Sequence, residues 1–132
     1  MWVSDIYSII FTRVKNEVAN RVKNKYPNIR FTDSNIVPTD PKFPTVYIHE
    51  LPGVETGQDL EGLSINAFSC TIQIEVTDNV SQNRAIDVMK QVVASMKRMR
   101  FLVVSMPEFQ NEERKYRSVA RFRRIIGYGD EL

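Results

Sequence analysis

The sequence predicts an α+β fold: a two-layer sandwich with two helices packed on one face of a mostly antiparallel four- or five-stranded sheet. Three observations predict it. Residues 4–25 and 82–99 each carry apolar side chains at three- and four-residue spacing, the mark of a helix with one buried stripe. Phe68, Cys70, Ile72, Ile74 and Val76 alternate with Ser69, Thr71, Gln73, Glu75 and Thr77, as in a strand whose sheet is covered on one side. Residues 115–126 then run apolar and basic in turn and close on Gly127, Tyr128, Gly129 and Asp130. The 132 residues, 42% of them hydrophobic, suit a single domain spanning 1–132 with a core that needs neither disulfide nor metal.

Ser4 is the expected N-cap of the first helix, with Asp5 favourably placed in its first turn. Its expected stripe is Ile6, Ile9, Ile10, Val14, Val18 and Val22. Pro27 disfavours helical geometry at Tyr26 and so ends the helix near Lys25. Trp2 is either an anchor on the helix start or part of an exposed contact. Asn28–Thr32 is a short strand candidate. Pro38, Pro41 and Pro44 stiffen the loop that follows. Thr45–Leu51 reads as a strand with Val46 and Ile48 opposite Tyr47 and His49. Pro52–Gly62, acidic and without periodicity, reads as a loop. Leu63–Thr77 is the clearest strand.

Ser81 is the expected N-cap of the second helix, whose stripe is Ala85, Ile86, Met89, Val92, Val93 and Met96. Lys97, Arg98 and Arg100 complement the dipole at its end. Phe101–Met106 is a strand ended by Pro107, and a polar loop, Glu108–Arg114, leads into the last strand. That last segment also shows helical spacing, but it has no N-cap before Lys115 and closes on two glycines. As a strand it places Tyr116, Ser118, Ala120, Phe122, Arg124 and Ile126 on one face. Arg117, Val119, Arg121, Arg123 and Ile125 take the other. Twelve residues of strand span roughly 40 Å, so it is expected to bend or to project beyond its own sheet.

No motif of catalysis is present: no phosphate-binding or dinucleotide-binding glycine pattern, no G-x-S-x-G, no metal-ligand spacing. The only histidine is His49 and the only cysteine Cys70, read as a surface strand residue and a small buried hydrophobe. The carboxylate pairs Asp59/Glu61 and Glu112/Glu113 fall in loops. The expectation is a non-enzyme without cofactor, made and used in a reducing cytoplasm or in a particle assembled there. No apolar run reaches the roughly 18 residues of a membrane span, and the N-terminus lacks the features of a signal peptide.

Net charge is +2, but residues 33–78 hold eight acidic side chains against Lys42 alone, and residues 84–132 hold eleven basic against six acidic. Such segregation suits either nucleic acid or an acidic surface on one subunit meeting a basic one on the next. The small net charge argues against a dedicated nucleic-acid binder.

The ending, with Tyr116, Arg117, Val119, Arg121, Phe122, Arg123, Arg124, Ile125, Ile126, Gly127 and Asp130, resembles that of tail-terminator (tail-completion) proteins of long-tailed bacteriophages. The P-x-F-P-T-V-Y-I entry to the second strand and the R-A-I-D-V-M of the second helix fit the same pattern. The resemblance implies a structural virion protein of the tail–neck junction, assembled in the host bacterial cytoplasm. Its expected form is a homo-oligomeric ring, usually a hexamer, that caps the tail tube and ends its growth. The implied partners are the tail tube protein, a neck or head-completion protein and, non-specifically, DNA in the lumen. Tyr116, Arg117, Arg121 and Arg123 are then expected at a subunit interface or the lumen, and Arg124, Tyr128 and Asp130 at a tube or neck contact. The alternatives are a neck or head-closure adaptor of the same virion, or a nucleic-acid-binding module using Tyr47, Tyr116 and Phe122 as stacking aromatics.

Overall fold

The computed structural model describes residues 2–34, 41–52, 54–58, 65–111 and 115–132. Their elements, in chain order, are α1 (Trp2–Val22), β1 (Arg30–Thr32), β2 (Thr45–Glu50), β3 (Val54–Gln58), β4 (Ile65–Asp78), α2 (Gln82–Arg98), β5 (Leu102–Phe109) and β6 (Tyr116–Gly127). Pro38, both loop carboxylate pairs and the side chain of Trp2 lie outside the described residues. The expected α+β sandwich is observed, with a sheet that is mostly antiparallel and ordered β1-β2-β4-β6-β5. Only β1 and β2 run parallel.

The alternating apolar face of β4 is the spine of the core. Phe68, Cys70, Ile72, Ile74 and Val76 are all buried. Ala120, Phe122 and Ile126 of β6 and Val46 and Ile48 of β2 extend the same face, and both helices cover it. The Tyr7 ring of α1 meets Phe68 edge-on at 6.0 Å, and its hydroxyl donates to the Leu51 carbonyl at 3.2 Å.

Several expectations are corrected. α1 already includes Ser4, so Ser4 does not cap it, although Asp5 does lie in the first turn. Ile9 is 49% exposed, because about 100° of helical turn separates it from Ile10 in the buried row Ile6, Ile10, Val14, Val18 and Val22. Within the segment expected as a loop, β3 pairs antiparallel with β4, giving a sixth strand. β5 runs through Pro107 to Phe109. It is an edge strand, where a missing N–H need not break the ladder, and Pro107 falls in the second of its two register shifts against β6.

β6 pairs with β4 over its whole length, from Tyr116 opposite Asp78 to Gly127 opposite Ala67, so it does not project beyond the sheet. β2 and β3 share the other edge of β4, at residues 72–77 and 65–69. The break between them falls at Pro52, which has no N–H to donate.

Capping fixes the ends of α2. The Ser81 hydroxyl accepts from the Arg84 N–H, as expected. At the C-terminus Phe101 N–H reaches Met96 O and Arg100 N–H reaches Lys97 O, the paired bonds of a Schellman motif. Arg100 takes the left-handed position there, at φ 65°, where glycine is usual. The buried positions of α2 include Val88 and Ser95 as well as Ala85, Met89, Val92 and Met96, whereas Ile86 and Val93 are only half-buried.

Two polar clusters tie the helices together. Glu17 of α1 accepts from Ser95 Oγ at 2.7 Å, from Arg98 at 2.8 and 3.0 Å, and from Arg13 at 3.1 Å. Burial pushes its carboxyl up, but these hydrogen bonds outweigh burial and hold it below its ordinary value. At the other end, Asp87 accepts from Lys25 Nζ and the Tyr26 hydroxyl, both at 2.7 Å, which lowers its carboxyl. The Arg84 guanidinium stacks over Tyr26 at 5.0 Å and reaches the buried Asp78 carboxylate at 3.5 Å.

Candidate functional site

The second face of the sheet carries no packed element among the described residues, and this open face is the candidate site. The pleat sends alternate side chains of each strand onto it. Strand register arranges them in rows across β2, β4 and β6: Thr45–Thr77–Arg117, Tyr47–Glu75–Val119 and His49–Gln73–Arg121. Beyond these, Thr71 pairs with Arg123, which in turn faces Leu102 of β5, and Ser69 pairs with Ile125.

Arg117, Arg121 and Arg123 therefore lie on one face, as expected, but in different environments. Arg117 bridges to Glu75 Oε1 at 3.0 Å and donates to Gln110 Oε1 at 3.0 Å. Arg121 Nε donates to Gln73 Oε1 at 2.8 Å. Arg123 is exposed and makes no ion pair or hydrogen bond with any described residue. Tyr116 lies half-buried at the start of β6, opposite Asp78 on the core side.

The expected tube or neck residues separate further. Arg124 points to the core side and is engaged within the chain. Its guanidinium donates to the Met99 carbonyl at 2.9 Å, at the end of α2, and to the Glu131 carbonyl at 3.3 Å. Asp130 closes the terminal turn: its carboxylate accepts from Gly127 N–H at 2.7 Å, its own N–H reaches Gly127 O at 3.0 Å, and Gly129 supplies the positive φ of 84° that the turn needs. Tyr128 is 74% exposed on that turn. Arg13 also donates to the Leu132 carbonyl, fastening the last residues to α1.

Sequence reasoning missed an apolar component. Leu102, Val104 and Met106 of β5 and Ile125 of β6 are all more than half exposed. Leu102 and Ile125 flank Arg123 on the open face, and the register shifts of β5 take Val104 and Met106 out of that alternation. The signal available for it was the i, i+2 spacing of Leu102, Val104 and Met106.

The stacking platform required by the nucleic-acid alternative is not formed. Phe122 is fully buried and Tyr116 belongs to the core side, leaving Tyr47 as the only one of the three on the open face. The Tyr47 hydroxyl is itself hydrogen-bonded to His49 Nδ1 at 2.9 Å. Nor do the two classical reactive residues meet, since Cys70 faces the core and His49 the open side. Burial pushes the Cys70 thiol up to about 12, far from a nucleophilic thiolate at neutral pH. Among the described residues no three His, Cys, Asp or Glu side chains gather as a metal site, and no helix is long and apolar enough to cross a membrane.

Comparison with models of known protein families finds no match, and comparison with curated proteins finds no relative. The functional reading therefore rests on the open face and on the pattern of the sequence.

Proposed function

We propose that this chain is a structural virion protein that forms a homo-oligomeric ring capping a phage tail tube, ends the tube's elongation and joins it to the neck, with DNA passing through the lumen. It acts by assembly rather than by catalysis. The observation that carries this reading is the open sheet face, with Arg117, Arg121 and Arg123 along β6 and the exposed Leu102 and Ile125 beside Arg123. Apolar patches rimmed by polar residues mark interaction surfaces. A ring of identical subunits requires two different patches on each copy. On the terminal turn Tyr128, 74% exposed, would touch tube or neck, beside Arg124 and Asp130.

The deciding experiment is native mass spectrometry of the purified chain, alone and mixed with tail tube protein. The expected result is a ring-sized species, either free or formed on tube ends. A chain that stays monomeric in both conditions refutes the reading.

A further inference from the structure

We infer that the β5–β6 edge of the open face is one half of a contact between copies of this chain, and that its other half is the β1–β2 edge of the next copy. This rests on the ring reading for the nature of the assembly and adds the two surfaces that meet.

The donating edge centres on Arg123. Its register partner Leu102 and its neighbour along the face, Ile125, are each 62% exposed. A guanidinium set between uncovered aliphatic side chains, with no partner among the described residues, has the composition of an interface centre, where arginine and apolar groups are enriched.

The receiving edge offers two carboxylates, with Arg30 of β1 on the open-face side of the same edge. β1 and β2 are parallel, so their C-terminal ends lie side by side. This brings Asp33, just after β1, near Glu50, the last residue of β2. Both are exposed, and neither forms an ion pair with a described residue. Burial and the nearby Asp33 carboxylate push the Glu50 carboxyl up, and only His49 pulls it back. An incoming guanidinium would relieve that repulsion.

The two edges are separated by the strand path β1-β2-β4-β6-β5, about 19 Å at the usual spacing of neighbouring strands. A two-fold pair would satisfy both patches at once and stop at two copies, whereas in a ring each patch meets a different neighbour. Pairing like with like would set one Arg123 against another. On the ring reading the contact is head-to-tail, with both edges of every copy engaged once the ring closes.

The test is a charge swap read by sedimentation velocity, with circular dichroism to confirm the fold, and with tube protein added if the wild type assembles only there. Arg123→Glu makes both edges acidic; Asp33→Arg with Glu50→Arg makes both basic. All three positions are exposed, so folding should survive. Each variant alone is expected to self-associate at least about tenfold more weakly than wild type, since facing like charges are strongly unfavourable. An equimolar mixture of the two is expected to recover assembly. Wild-type association by both variants, or a mixture that stays dissociated, overturns this interface and leaves the ring reading standing. A wild type that is monomeric in every condition overturns both. Recovery in the mixture without any response to tube protein upholds the interface and removes the capping role.

Discussion

Replacing Glu17 with alanine should loosen the helical layer from within. The Ser95 hydroxyl is fully buried and donates to the Glu17 carboxylate at 2.7 Å. A hydrogen bond to a charged group contributes roughly 1.5–3 kcal/mol, and losing it strands a buried hydroxyl. The Arg98 pair, at 2.8 Å, is partly exposed on both sides and adds only about 0.2–1 kcal/mol. The Arg13 pair, one helical turn away, adds about 0.3–0.5 kcal/mol. The expected loss is about 3 kcal/mol, a fall in melting temperature of roughly 10 °C for a chain of this length. Thermal denaturation followed by circular dichroism measures it. Adding Ser95→Ala to the variant removes the stranded hydroxyl and should return about 1 kcal/mol. The sign of the pH dependence is fixed by the lowered carboxyl of Glu17. Its contribution is complete above the ordinary value of 4.5 and is lost as pH falls through the lower folded value. Wild type and variant should therefore converge only below about pH 4.5. A variant that melts within about 3 °C of wild type at pH 7 would refute the claim that this carboxylate clamps the two helices.

Phe122→Ala should destabilise the fold by about 3–5 kcal/mol in urea titration, because its ring is fully buried between sheet and helices. Arg124→Ala should cost about 1–2 kcal/mol and speed amide exchange at the end of α2, where its guanidinium holds the Met99 carbonyl. Arg100→Gly should be neutral or raise stability by up to about 1 kcal/mol, since it relieves a left-handed backbone at φ 65°; a clear loss in the same titration would mean that the arginine side chain matters more than its backbone. The Cys70 thiol, fully buried and raised to about 12, should resist thiol reagents at pH 8 in the native state and react only on unfolding.

Where one face of an element meets the core, the sequence was informative. β4 and the long β6 announce themselves by alternation, and α2 by its Ser81 cap and stripe. Elements held by pairing alone were hidden. Val54–Gln58 has no alternation and little β-propensity, and it is a strand because β4 offers it an unpaired edge. Pro107 reads as a stop unless β5 is known to lie at the edge. The open face was legible in the parity of Arg117, Arg121 and Arg123, but parity does not reveal which guanidinium finds a partner at home. Glu75 and Gln73 take two of the three from a strand more than 40 positions earlier. Arg124 was placed on the face of Phe122 and Ile126, but nothing local shows that the end of α2 stops within its reach.

The two register shifts and the proline of β5 separate stickiness from templating. This strand displays Leu102, Val104 and Met106, yet its backbone offers no unbroken row of outward N–H and C=O groups on which another strand could lay itself. Strand addition has no natural stop, and a flat edge with such side chains would invite fibres. On the ring reading, a crimped β5 edge would leave copies to meet there through side-chain shapes and charges rather than through strand addition. A ring subunit built this way could be crowded during assembly and still stop at a fixed count.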